Sequence, residues 1–218
     1  MKNQNQDKEL IDIEGEVYLP SWNGFQSRKS IYGSKDSSNE IDCVFYYSIG
    51  GDSTLEIEKP KPYQQKAFEY LINNHENIKN EILSALLKKY PEIQNIYGYE
   101  PEDKEEFMPD VTNPNDFKKL IGLSQLHFVN VTKDDVGFIG FEFGCEWDDE
   151  HGLGIMTHKN RVIEIGGADT SFMEWIAMED LTDEARLALE IEQDLEFQKQ
   201  RNKESEIKTK SPWWKFWK

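Results

Sequence analysis

Residues 124–166 read SQLHFVNVTKDDVGFIGFEFGCEWDDEHGLGIMTHKNRVIEIG, and this pattern predicts an antiparallel meander. Apolar and polar residues alternate in LHFVNV, Lys133 to Asp135 form a turn signal, and VGFIGFEF predicts the returning strand. Two further strands, at residues 153–158 and 161–165, meet across Lys159-Asn160, a tight turn in which Asn tolerates the left-handed conformation. The meander therefore forms the centre of the predicted fold.

The segments before the meander predict more strands and then a helical region. Alternation indicates strands over residues 11–19 and 43–49, with a short strand around Leu55 and Ile57. Between them, Trp22, Phe25 and Tyr32 are expected to anchor a long loop. From Tyr63 the apolar spacing becomes helical and predicts two helices, or one bent helix, ending at Pro91. The following acidic segment, residues 97–110, is interpreted as a surface loop, and Asn113-Pro114 as the start of a short helix.

After the meander, Thr170 or Ser171 is expected to cap a short helix, and Thr182 a longer one that runs to Lys203. Leu187, Ile191 and Leu195 form an apolar stripe along the longer helix. The prediction is a single α+β domain over residues 10–203, in which an antiparallel sheet packs against helices at 62–90 and 170–203. A flexible, basic and aromatic tail is predicted for residues 204–218.

The charge of the chain excludes some classes of partner. The 218 residues contain 25 Lys+Arg and 42 Asp+Glu, which gives a net charge of −17. Binding to nucleic acid is driven by Lys and Arg that release counterions, so a general nucleic-acid binder is excluded, and a broad contact with anionic membranes is disfavoured. The charge is uneven: residues 201–218 hold six basic and two acidic residues, or +4, so residues 1–200 carry −21.

Processing and redox signals predict a cytoplasmic protein. Cys43 and Cys145 lie far apart and match no metal-binding spacing. The first residues lack the apolar run of a signal peptide, and no segment approaches the eighteen or so apolar residues that span a bilayer. No cofactor is implied by any motif.

The candidate contact surface is the acidic segment Trp147, Asp148, Asp149, Glu150 and His151. Between Asp134 and His158 the chain has seven acids and no Lys or Arg, so the local field is negative. We interpret the segment as a loop that joins two neighbouring strands and presents a recognition surface, as loops on rigid sheets commonly do.

Chemical alternatives for the same segment remain open. The acids and His151, completed by His158 or Asp169, offer ligands for a metal ion, although the spacing matches no known template. Cys145 with a histidine base suggests a nucleophile, but the surrounding acids would raise its pKa. The Gly152 and Gly166 regions are better explained by tight turns than by phosphate binding.

The C-terminal aromatic residues form a second candidate surface. Trp213, Trp214, Phe216 and Trp217 lie within the last six residues, beside Lys215 and Lys218. Such a tail suits docking to a protein, folding back onto the acidic domain, or at most a transient membrane contact, because Trp and Lys favour membrane interfaces.

The acidic segment and the strands after it carry a family resemblance. The sequence contains the pattern W-D-x-E-H-G-x-G, followed by H-x-x-R and G-G-A-D. Its residues are Trp147, Asp148, Glu150, His151, Gly152, Gly154, His158, Arg161 and Gly166 to Asp169. This pattern resembles an uncharacterised bacterial domain family of unknown function, whose relatives resemble immunity proteins. The resemblance implies a non-enzymatic binding protein whose partner is a protein, such as a basic toxin. The alternative hypothesis is a metal-dependent or hydrolytic enzyme that uses residues 147–151.

Overall fold

The computed structural model describes residues 10, 12–25 and 43–210, which form a six-stranded sheet flanked by helices. The strands lie side by side in chain order: β1 (Glu14–Tyr18), β2 (Val44–Gly50), β3 (Ile121–Lys133), β4 (Val136–Cys145), β5 (Asp148–His158) and β6 (Arg161–Gly166). The helices are α1 (Pro62–Tyr97), α2 (Pro101–Phe107), α3 (Glu174–Glu179) and α4 (Asp183–Lys210). Short 3-10 helices occur at Pro20–Trp22, Pro114–Lys119 and Ala168–Ser171. The predicted α+β fold is confirmed.

The sheet is antiparallel except at one pair of strands. β3 to β6 form the predicted meander, and β1 pairs antiparallel with β2. β2 and β3 are parallel, because the chain leaves one end of β2 and crosses back through α1 before it enters β3. The predicted antiparallel sheet therefore contains one parallel pair, β2 with β3.

One face of the sheet packs against α1 and holds the larger core. Phe45, Leu126, Phe141 and Ile155 contribute from four different strands, and α1 contributes apolar side chains along its length. Trp22 and Phe25 are fully buried in this core, as predicted; Tyr32 lies outside the described residues.

Helix α1 continues through Pro91 to Tyr97, so the predicted end at Pro91 is wrong, and there is one helix rather than two. Pro91 is exposed, while its neighbour Tyr90 is buried with its ring against Phe117 at 5.2 Å. This packing holds the last turns of the helix against the 3-10 helix Pro114–Lys119 despite the lost hydrogen bond. The helix ends at Gly98, whose φ of 60° is the left-handed conformation of a helix C-terminus.

Two other local predictions are corrected. Residues 101–107 form α2 rather than a loop, because Pro101 stands at the first helical position and Glu102 and Asp103 favour the helix N-terminus. The segment around Leu55 and Ile57 is not a strand. Its backbone at Glu56 is instead hydrogen-bonded by the Gln200 side chain, which donates to the carbonyl at 2.8 Å and accepts from the N–H at 3.1 Å.

Among the described residues, α3 and α4 cover only part of the opposite face of the sheet. Val129, Val131, Phe138 and Met156 pack there against α3 and Leu189 of α4. The Leu187, Ile191 and Leu195 stripe of α4 faces outward and is exposed, since the opposite side of this helix carries the contacts with the domain. Those contacts are mainly polar, such as the 2.9 Å ion pair between Lys61 and Glu196.

Helix α4 extends to Lys210, so residues 204–210 are helical rather than part of a flexible tail. Residues 211–218, with the four aromatic residues of the second candidate surface, lie outside the described residues. None of the helices in the described ranges combines the length and apolar character needed to cross a membrane.

The carboxylate of Glu174, the first residue of α3, is partly buried, and it yields a stability prediction. Burial raises the pKa of Glu174 and the nearby charge of Asp52 adds to this effect, while hydrogen bonds from Ser53, Gln193 and the Asn130 backbone oppose it in part. Its Oε2 accepts from Gln193 at 3.3 Å, while Oε1 is buried without a hydrogen bond of normal geometry. We expect Glu174→Gln, which keeps the shape and removes the charge, to raise the free energy of unfolding by about 1 kcal/mol at pH 7.

The pH dependence of this effect has a definite sign. Because the pKa of Glu174 is higher in the folded protein, its contribution to stability decreases as the pH rises from the usual value of 4.5 to the raised folded value. The advantage of Glu174→Gln should therefore grow across this window and stay constant above it. Urea unfolding of both proteins at a series of pH values measures the difference, and an advantage that does not change with pH contradicts the assignment.

Candidate functional site

The structure places Trp147 inside the protein rather than on a contact surface. Glu146 and Trp147 form the turn between β4 and β5, and Trp147 is only 2% exposed. Its ring meets that of Tyr90 at 5.6 Å, and its carbonyl accepts from the Tyr99 hydroxyl at 2.8 Å. Trp147 therefore anchors the hairpin to the end of α1 and is not available to a partner.

Asp148 is the first residue of β5, and its carboxylate organises the residues around it. Oδ2 accepts from the Tyr97 hydroxyl at 2.6 Å, and Oδ1 accepts from the His151 N–H at 2.7 Å. Burial alone would raise the pKa of Asp148, but these hydrogen bonds and the His151 side chain hold it below its usual value. Asp148 is thus committed to holding Tyr97 and His151 in place.

The side chains that remain open to solvent form an acidic patch with an apolar margin. Asp149 and Glu150 are exposed, the His151 side chain is 71% exposed, and Asp103 of α2 lies on the surface nearby. Burial raises the pKa of Tyr99, and the negative charges of Asp148, Asp103 and Asp149 add to the effect. We define the acidic patch as Ile96, Tyr97, Asp103, Asp149, Glu150 and His151.

The apolar margin of the patch lies at the end of α1. Ile96 is 72% exposed and Tyr97 is 38% exposed, while the Tyr97 ring stacks on Tyr99 with the centroids 6.2 Å apart. The hydroxyl of Tyr97 is fixed by Asp148, so the ring has a defined position before any partner arrives.

The geometry lends no support to a cysteine nucleophile in this region. Cys145 is buried, and burial raises the pKa of its thiol to about 12, so the thiol stays protonated at neutral pH. Cys43 is also a buried free cysteine. Within residues 10, 12–25 and 43–210, no three or more His, Cys, Asp or Glu side chains are placed together as a metal site would require.

Several other residues of the recognised pattern have structural positions. A Cβ at Gly154 would lie 2.3 Å from the Gly167 carbonyl oxygen, so only glycine lets the turn after β6 cross β5. Arg161 forms a two-pronged ion pair with Asp180, and His158 contacts the Lys133 carbonyl oxygen at 2.9 Å. Gly154, His158 and Arg161 therefore shape the fold, and the exposed residues of the pattern are Glu150, His151, Arg161 and Asp169.

A second polar cluster lies on the partly uncovered face of the sheet, and sequence reasoning did not select it. The His127 ring contacts Ser48 Oγ at 2.9 Å through Nδ1 and Glu142 Oε2 at 2.8 Å through Nε2. Gln125 donates to Ser48 Oγ at 3.2 Å. The only sequence signal was the presence of polar residues at alternating positions of three strands, which does not show that these strands are neighbours.

Comparison with known proteins identifies a family. Residues 13–173, most of the chain, match the family described as a domain of unknown function, DUF6985. The match includes the whole sheet and ends before α3 and α4. Neither the curated proteins nor the solved structures contain a significant match to this chain. The six-stranded sheet and the acidic patch are thus features of a chain that belongs to the DUF6985 family.

Proposed function

We propose that the protein is a cytoplasmic binding protein of the immunity type, whose acidic patch takes up a basic protein such as a toxin. The observation that carries the proposal is the hydrogen bond that fixes the partly exposed ring of Tyr97 to Asp148, next in sequence to the exposed acids Asp149 and Glu150. Within this proposal the surface binds and does no chemistry, and Trp213, Trp214, Phe216 and Trp217 supply a second contact.

The two parts of the acidic patch have different physical roles. Asp103, Asp149 and Glu150 contribute to a negative field that accelerates the approach of a basic partner and disfavours acidic competitors. Tyr97 and Ile96 supply apolar area that binding can remove from water, and tyrosine is among the residues that contribute most at interfaces. Because Asp148 already holds Tyr97, little side-chain entropy is lost when the partner binds.

The test uses charge reversal in the acidic patch. We expect the double variant Asp149→Lys and Glu150→Lys to slow association with the basic product of a neighbouring toxin gene by about 10-fold or more, because the steering field is reversed locally. In cells that express this toxin, wild-type protein should restore growth and the double variant should not. Association rates measured by surface plasmon resonance at several salt concentrations quantify the effect.

The matched control places the same charge change elsewhere. Glu184 and Glu190 are exposed on α4, outside the acidic patch, and Glu184→Lys with Glu190→Lys changes the net charge by the same amount. This control should still restore growth and bind at nearly the wild-type rate. Equal losses in the two double variants would mean that only overall charge matters, and the patch would then have no specific role.

A further inference from the structure

We propose that the polar cluster on the sheet face opposite α1 is a serine-nucleophile site that hydrolyses a neutral carboxylic ester, with Ser48 as nucleophile, the buried His127 as base and Glu142 as the residue that positions His127. The inference goes beyond the proposed binding function. It uses none of the acidic-patch residues, so either proposal can fail without the other.

Strand register brings the three side chains together. Ser48 on β2 lies opposite His127 on β3, and Gln125 on β3 lies opposite Glu142 on β4. The three strands are adjacent, so the constellation rests on backbone hydrogen bonds rather than on loops. A site held by paired strands is more precise than one built on flexible segments, and the cluster lies in the stretch of β3 between register shifts at Leu123/Gln125 and Phe128/Thr132.

The hydrogen bonds assign the roles. A neutral imidazole has one N–H, and an ionised carboxylate can only accept, so the 2.8 Å contact with Glu142 places the proton on His127 Nε2. Nδ1 is then an acceptor, and the Ser48 hydroxyl donates to it at 2.9 Å. This is the order of nucleophile, base and orienting acid that activates a serine.

Gln125 completes the constellation. One of its amide N–H groups donates to Ser48 Oγ at 3.2 Å, which turns the serine proton toward His127. The same nitrogen carries a second N–H, which the proposal assigns to the negative oxygen of the tetrahedral intermediate. A side-chain amide in this position can stabilise such an oxygen.

The surroundings indicate the class of substrate. Ser48 is partly exposed, and Tyr46 and Val44, two and four residues earlier on the same face of β2, are 46% and 43% exposed. These two side chains offer an apolar platform for an acyl group. Glu142 and the net charge of −17 disfavour anionic substrates, so a neutral ester fits best.

The reaction uses only the ester and water. Ser48 Oγ forms a bond to the carbonyl carbon while its proton passes to His127 Nδ1, and Glu142 stabilises the resulting imidazolium. The bond to the leaving alkoxide then breaks, and the alkoxide takes the proton from Nδ1, which leaves an acyl-serine. Water attacks the acyl carbon with His127 again as base, and the acid and free Ser48 are released.

The test is labelling of the full chain with a fluorophosphonate, which serine nucleophiles attack with loss of fluoride, together with hydrolysis of p-nitrophenyl butyrate. We expect mass spectrometry to find the phosphonate on Ser48. Ser48→Ala should abolish labelling, and His127→Gln should slow hydrolysis by about 100-fold or more, because it removes the general base. A label on other residues only, or hydrolysis unchanged in Ser48→Ala, would overturn the proposal.

Two variants separate chemistry from folding. Ser124 is a partly exposed serine on β3 whose hydroxyl donates to the Glu142 carbonyl oxygen at 2.9 Å, and Ser124→Ala should keep full labelling. Glu142→Gln should lower kcat about 10-fold while KM stays within about twofold, since the carboxylate stabilises the imidazolium and does not contact substrate. Equal losses in kcat for Ser124→Ala and Glu142→Gln would show a merely structural network and reject the proposal.

Discussion

Trp147→Ala is expected to lower the free energy of unfolding by about 3–5 kcal/mol, the range for removing a large aromatic side chain from a core. The indole is 2% exposed and packs against Tyr90 at the turn between β4 and β5. Its loss leaves a cavity where the hairpin meets the end of α1, and it loosens the support of the acidic patch. Urea unfolding followed by circular dichroism measures the change.

The matched control for this prediction is Trp175→Ala. Trp175 is exposed on α3, so its replacement should change stability by less than about 0.5 kcal/mol. A small effect of Trp147→Ala, comparable to that of the control, would contradict the anchoring role. In that case the sequence-based prediction of Trp147 as a contact residue would be preferred again.

Gly140→Ala is expected to destabilise the protein by about 3 kcal/mol or more, at the upper end of the range for overpacking. A Cβ at Gly140 would lie 1.5 Å from the carbonyl oxygen of Ser171, a backbone atom of the 3-10 helix Ala168–Ser171. The added methyl group would therefore displace this 3-10 helix, which connects β6 to α3. The variant should therefore either unfold at lower temperature or release α3 and α4 from the sheet.

The control for Gly140→Ala lies within the same turn. At Gly167 the nearest atom to a new Cβ is the side-chain oxygen of Asp169 at 3.1 Å, which can rotate away. Gly167→Ala should thus change the melting temperature by only a few degrees, about what 1 kcal/mol produces in a domain of this size. Similar melting temperatures for Gly140→Ala and the wild-type protein would refute the close packing of the turn on β4.

Local periodicity predicted much of the fold. Alternation and turn residues indicated β3 to β6 and their antiparallel order, because hairpins connect residues that are near in sequence. The apolar spacing also predicted the helix α1, but it did not predict the residue at which α1 ends. Pro91 is a strong local stop signal, and only the burial of Tyr90 against a distant phenylalanine, Phe117, overrides it.

Local sequence also failed to predict which side of α4 is buried. An i, i+4 stripe of Leu187, Ile191 and Leu195 is typical of a core-facing helix, yet these residues face solvent and the polar side docks through contacts such as Lys61–Glu196. Sequence alone establishes that a helix is amphipathic. Which side meets the domain depends on the surface that the rest of the chain presents.

By itself, the sequence determined the α+β class, the meander, the negative charge of the domain and the acidic segment at residues 147–151. Only the tertiary structure decided that Trp147 is an internal anchor and that Ser48, His127 and Glu142 form one hydrogen-bonded cluster. The reason is physical: side-chain alternation is set within each strand, whereas the pairing of β2 with β3 joins segments more than 70 residues apart. The relative register of those strands, which creates the cluster, is fixed only when the core of α1 and the sheet forms.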